Sequence, residues 1–226
     1  MDIEQEKLKE IRELYRELLE NKASRRDEKL NSRLLQNIIE QFVNLYDELE
    51  AKEKEIREKA IRDPLTGVYN RITFDESLKQ EIEEERRYKD SIFSLIMFDI
   101  DHFKHVNDEY GHPAGDRVLQ ELAELVQKKV RKVDIFARWG GEEFIILAPR
   151  TDSKQAYQTA ERLRKSIEEY NFISEENITC SFGAAQYKQG ESEENLLERV
   201  DQALYKAKKS GRNQTISAES MREEKV

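Results

Sequence analysis

The stretch "ARWGGEEFIIL", Ala137–Leu147, sets up both the fold and a chemical question. Gly140-Gly141 separates "DIFARW" from "EEFIILA", and a glycine pair between two apolar-rich runs is a strong signal for a tight β-hairpin. The second run is apolar enough for a buried strand, yet it opens with two acids, Glu142 and Glu143. Two carboxylates there are either solvated turn residues or part of a site that uses negative charge. The hairpin alone leaves both readings open.

Working outward, strands and helices alternate around this hairpin. "SIFSLIMFD" (91–99) and "ITCSFGAAQ" (178–186) read as strands. Helical periodicity marks roughly 71–88, with Ile72, Leu78 and Ile82 inward, and then 114–130, 153–169 and 192–209. The pattern predicts an α/β domain, a mixed sheet with helices on both faces. Pro64 disfavours helix at Asp63 and Gly67 supports a turn, so "IRDPLTGVYNR" marks the domain start. The expected division is 1–62 as a helical segment, 63–215 as the globular domain and 216–226 as a polar tail.

Residues 1–62 contain neither glycine nor proline. Leu8, Ile11, Tyr15 and Leu18 recur at helical spacing, and Ser24 with Asp27 suits the cap of a second helix. Leu35, Ile38, Phe42, Leu45, Leu49 and Ile56 then follow a 4,3 repeat broken at Lys52. This predicts a self-associating coiled coil or a helical hairpin; a helix packed on its own domain is the alternative.

The 226 residues are 37% hydrophobic and 38% charged, with a net charge of −9. An acidic chain argues against broad nucleic-acid binding. The single cysteine, Cys180, excludes an intramolecular disulfide framework and reads as a small buried residue. No apolar run approaches the roughly 20 residues that span a bilayer. With no signal-peptide pattern at the start, the expectation is a cytoplasmic protein without membrane insertion.

Asp99 sits where the apolar run of its strand stops, at the carboxyl end, where open α/β sheets place ligands. If that strand lies beside the hairpin, Asp99 and Glu142 converge. Clustered carboxylates repel unless a cation neutralises them, and hard oxygen donors suit Mg²⁺ with open positions for phosphates. Lys208 and Arg212, four apart in "ALYKAKKSGRN", suit the outer phosphates of a nucleotide; a lysine-rich last helical turn is the plain alternative.

The ordered set "DPLTGVYNR", "FDIDHFKHVNDEYGHPAGD", "RWGGEEF", "TCSFGAA" and "ALYKAKKSGRN" resembles the GGDEF family of diguanylate cyclases over about residues 63–215. The resemblance implies a nucleotide-cyclase, polymerase-palm-like sheet. It implies condensation of two GTP into cyclic di-GMP, dependent on Mg²⁺ (or Mn²⁺). It assigns Asp99 and Glu142 as metal ligands with the Ile100 carbonyl, and Glu143 as a further ligand or a contributor to deprotonation. Gly140 and Gly141 leave room for the nucleotide. Asn107 and Asp116 read guanine, Phe103 and Lys104 belong to a loop around the phosphates, and Lys208 and Arg212 bind them. Asp101 is given a local structural role.

"RKVD" is a surface ion pair on the plain reading. Its position before the hairpin resembles the family's product-inhibition site, with Arg131 and Asp134 on cyclic di-GMP and Arg162 in support. A two-fold symmetric product from domains that hold one GTP each implies a homodimer. The competing readings are a non-catalytic module that binds GTP or cyclic di-GMP, a helical scaffold with product as input, and a cyclase making another product.

Overall fold

The computed structural model describes residues 28–88, 92–172 and 177–223, with positions 13, 16 and 20. Two compact units divide between Ala60 and Ile61. The expected helix over Leu8–Leu18 and the Ser24/Asp27 cap lie outside the described residues.

In the first unit, helix α1 runs Glu28–Ile61. The residues of the expected heptad seam differ in burial within this single chain. Leu45 is buried and Ile38 half-buried, whereas Leu35, Phe42 and Leu49 are exposed together with Ile39, Val43 and Tyr46. The reason is angular: 35, 39, 42, 46 and 49 form their own 4,3 stripe, rotated from the one carrying 38 and 45.

The second unit is built from α2 (Arg71–Arg87), β1 (Phe93–Ile100), α3 (Phe103–Tyr110), α4 (His112–Gln127), β2 (Ile135–Gly140), β3 (Glu143–Pro149), α5 (Ser153–Glu168), β4 (Cys180–Gln186), α6 (Glu193–Lys209), β5 (Thr215–Ser217) and α7 (Ser220–Glu223). The sheet order is β2-β3-β1-β4-β5. β1 pairs antiparallel with β3 and β4, and β5 pairs parallel with β4, so the sheet is mixed as expected.

All eight residues of the central strand β1 are buried. Ile96, Phe98 and Ile100 join one core with α3, α4 and α5; Phe93, Leu95 and Met97 join the other with α2 and α6. This period-two division is why β1 reads as a continuous apolar run. Phe98 stacks on Phe144 and Phe182 across both neighbouring strands, at centroid distances of 5.4 and 4.7 Å. Gly183 of β4 has no room for a side chain: a Cβ there would strike the backbone of Val200 and Leu204. That close approach sets α6, and with it Lys208, against the sheet.

Three expectations are corrected. Phe103 and Lys104 open a helix rather than a loop; Phe103 is buried and its ring belongs to the core, while Lys104 is exposed. His102 enters the helix with φ 59° and no side-chain cap, so the usual capping signal is missing. The tail assigned from 216 cuts β5, and Ala218 beyond it is buried. The hairpin turn is one residue later than expected: Gly140 pairs with Glu143 after an irregularity at Trp139, leaving Gly141 (φ 52°) and Glu142 as the turn.

Candidate active site

The shifted turn fixes the acids. Glu142 sits at the tip, and Glu143 becomes the first residue of β3, directly opposite Asp99 of β1 in the ladder. The tip is held by a hairpin residue, Arg138 of β2, which is tied in turn to the chain outside the hairpin. Arg138 donates through Nε and Nη2 to the Gly141 carbonyl at 2.9 and 2.8 Å, and through Nη1 to Asp63 at 3.1 Å. Asp63 in turn accepts from the Thr66 amide and hydroxyl. The "DPLTG" turn is thereby tied to the glycines, a connection that the sequence motifs do not reveal.

Asp99 is buried and bonded to Lys208 Nζ at 2.8 Å. Burial pushes its carboxyl up to about 6 against the pull of the ammonium, and Glu142 and Glu143 push the same way. One lysine pairs with Asp99 while the charges of Glu142 and Glu143 act on the same carboxyl, and hard oxygen donors short of positive charge suit Mg²⁺. Asp99, Glu142 and the Ile100 carbonyl are the donors that the resemblance implies for such an ion; the structure sets Glu143 opposite Asp99 in the ladder and places Glu142 next to it at the tip. Among the described residues, no three His, Cys, Asp or Glu side chains come together closely enough to hold a metal ion on their own.

Asn107, on α3, lies against Gly115 of α4, the residue before the exposed Asp116. Gly115 is a residue that sequence reasoning missed. A Cβ there would collide with the Asn107 amide and come within 3.1 Å of the Phe103 ring. Gly115→Ala is expected to displace Asn107, cost about 1–3 kcal/mol of stability through overpacking, and raise the apparent KM for a guanine nucleotide. Thermal unfolding with steady-state kinetics checks this; unchanged KM would remove Asn107 from recognition.

Lys208 lies in the last turn of α6, where it meets Asp99, and Arg212 follows Gly211 beyond the helix end. Arg131 and Asp134 form a tight pair away from these acids: Nη2 to Oδ1 at 2.6 Å and Nε to Oδ1 at 3.0 Å. Arg131 Nη2 also reaches the Pro149 carbonyl and Thr151 hydroxyl. Arg162 joins this pair around a cavity of about 410 Å³. The sequence candidates thus divide into an acid-and-lysine centre, a polar α3–α4 corner and a separate arginine cavity.

A family model, "Diguanylate cyclase, GGDEF domain", matches residues 60–214. The chain belongs to the GGDEF family. It is similar to the diguanylate cyclase DgcP of Pseudomonas aeruginosa, with 45% identity over 161 residues, covering 70% of this chain and 24% of that protein. It is similar to the diguanylate cyclase DgcM of Escherichia coli K12, with 39% identity over 170 residues, covering 74% and 40%. Among solved structures, the coiled coil and GGDEF domain of DgcB from Caulobacter crescentus, in complex with c-di-GMP, matches with TM-score 0.72 and 31% identity over 84% of this chain and 100% of that one. The chain therefore spans about a quarter of the length of DgcP and two-fifths of that of DgcM. Within the GGDEF fold the hairpin tip carries "GGEEF", with the first acid in the turn and the second in the ladder against Asp99. No helix among the described residues is long and apolar enough to cross a membrane.

Proposed function

We propose that the chain is a diguanylate cyclase that joins two GTP molecules into cyclic di-GMP, with residues 63–215 as its catalytic part. The observation that carries this reading is the buried Asp99 carboxylate, set opposite Glu143 and bonded to Lys208 at 2.8 Å, in a chain of the GGDEF family. In each half-reaction a ribose 3′-oxygen forms a bond to the α-phosphorus of the other GTP, and the bond to the leaving pyrophosphate breaks.

Asn107 and Asp116 hold guanine: an Asp accepts from its N1–H and N2–H₂ edge, which adenine does not present. Lys208 and Arg212 hold the outer phosphates. Glu143 stands beside the reacting oxygen, as a ligand or as an acceptor of its proton. Bound Mg²⁺ supplies charge that favours the ionised hydroxyl and the departing pyrophosphate. Catalysis is otherwise positioning by these side chains.

One domain holds one GTP, so the two-fold product needs a second copy facing the first. The exposed stripe Leu35–Leu49 on α1 supports a helical tether between copies. Such a tether raises the effective concentration of one half-site for the other into about the millimolar range. Arg131, Asp134 and Arg162 form the feedback site for the product; the solved relative with c-di-GMP bound supports a product-binding role for this domain type.

The test is product analysis after incubation with GTP and Mg²⁺, with and without an enzyme that removes cyclic di-GMP. The expected result is cyclic di-GMP with two pyrophosphates, and more of both when product is removed. A dimeric protein that binds GTP but releases no pyrophosphate is instead the binding module.

A further inference from the structure

Three successive residues after α6 have left-handed backbone: Gly211 (φ 116°), Arg212 (φ 62°) and Asn213 (φ 43°). Only the first is a glycine. For the other two this conformation costs energy and persists where the surroundings over-determine it. The surroundings do so from two sides.

On one side is Asp101, buried just beyond β1. Its carboxylate accepts from the Ser181 hydroxyl at 2.7 Å, the Thr179 hydroxyl at 2.8 Å and the Asn213 amide at 3.0 Å. On the other side is α5. Arg164 is buried and donates through Nη1 to Asn213 Oδ1 at 2.6 Å and to Glu168 at 2.8 Å. Asn213 Nδ2 donates to Glu168 Oε1 at 2.7 Å, and Glu161 takes Arg164 Nε and Nη2 as well as the Thr215 hydroxyl. The Asn213 and Arg164 bonds hold the Glu168 carboxyl below its ordinary range. Every polar atom of the Asn213 amide side chain is used, and its backbone N–H is anchored as well.

A network this complete around one asparagine is more than a strand end needs. Its effect is to fix the residue immediately after Arg212, while the Arg212 amide donates to the Ala207 carbonyl at 3.0 Å on the other side. We infer that Asn213 is a positioning residue for the substrate: clamped between Asp101 and the Arg164–Glu168 pair, it holds Arg212 at the angle that meets the outer phosphates of GTP. This rests on the phosphate-binding reading of Arg212. It also gives Asp101 a definite task, as an anchor for the phosphate arm instead of a ligand for the ion.

The test is a cycle of Asn213→Gly, Arg212→Ala and the double variant, read as KM and kcat for GTP alongside thermal unfolding. Glycine keeps the left-handed backbone available and removes both side-chain bonds. Arg212→Ala is expected to raise KM about tenfold or more, and Asn213→Gly about tenfold with a much smaller change in kcat, because the acids are untouched. The double variant should be no worse than Arg212→Ala, since Asn213 acts through that arginine. If Asn213→Gly leaves KM unchanged, or its effect multiplies with that of Arg212→Ala, the inference is wrong even though Arg212 binds phosphate. If Arg212→Ala itself leaves KM unchanged, the phosphate reading fails first. Should Asn213→Gly not fold, Glu168→Ala, on a half-exposed side chain, is the substitute: a KM rise of about threefold, absent when Arg212 is already alanine, supports the clamp, and no rise overturns it.

Discussion

Asp99→Asn is expected to lower turnover by about a thousandfold or more, while making the protein without metal or nucleotide more stable at pH 7. The two effects have one cause. Folding buries Asp99 among like charges and raises its carboxyl from 3.8 to about 6. A carboxyl raised in the fold binds its proton more tightly there than in the unfolded chain. Its ionisation therefore costs stability, beginning as pH rises past the unfolded value and complete above the folded one. From 3.8 to about 6 the cost is on the order of 3 kcal/mol, at ~1.4 kcal/mol per tenfold. Asparagine keeps the shape and removes the charge; Lys208, with 31% of its side chain exposed, returns to water. A net gain of about 1–3 kcal/mol is expected at pH 7. The gain over the parent should be full above pH 6 and close as pH falls towards 4. Denaturant titrations of both proteins across that range, in chelator, measure it. Undiminished pyrophosphate release by Asp99→Asn would remove Asp99 from the chemistry. A variant less stable than the parent at pH 7 would show that the Lys208 pairing outweighs burial.

How much of this was legible beforehand depends on where the information lies along the chain. β1 and β3 read directly, because strands buried on both faces are continuous apolar runs. The acids read as a possible site because they stand at the ends of those runs. α3 did not read: eight residues entered through a left-handed His102, with only Phe103 and Val106 buried, give neither a cap nor a long period. β5 did not read because three residues, parallel to a strand some thirty positions earlier, have no local signature. Lys208 was legible as a cation, but its bond to Asp99 was not, since that depends on Gly183 admitting α6. Gly115, Arg138 and Asn213 share one property. Each acts by placing a neighbour, and the partner that makes it matter lies on another element.

The second large effect concerns the arginine cavity. Arg131→Ala is expected to weaken inhibition by cyclic di-GMP about a hundredfold or more, the scale of a lost bidentate contact to guanine O6 and N7 at ~1–3 kcal/mol compounded by the loss of its Asp134 partner geometry. That result alone would be ambiguous. Arg131 also fastens the buried Asp134 carboxylate, the Pro149 carbonyl and the Thr151 hydroxyl, so its removal should cost about 1–3 kcal/mol of stability. Asp134 keeps one bond, from the Arg131 backbone amide at 2.9 Å, which limits the damage. Arg162 separates the two roles. It is exposed, it lines the same cavity, and its guanidinium donates to the Lys129 carbonyl at 3.2 Å. Arg162→Ala should leave unfolding unchanged and weaken product inhibition about tenfold, as an exposed second guanidinium contact. Initial rates against added cyclic di-GMP, with unfolding curves for each variant, decide the matter. Inhibition unchanged in both variants would make "RKVD" a strut that joins the entry of β2 to the exit of β3. Inhibition lost in Arg131→Ala but intact in Arg162→Ala would confine the product to the Asp134 side. Weakening in both, with stability lost in only one, is the pattern of a ligand held between α5 and the hairpin, where Arg131 is already aimed by its own acid before the product arrives.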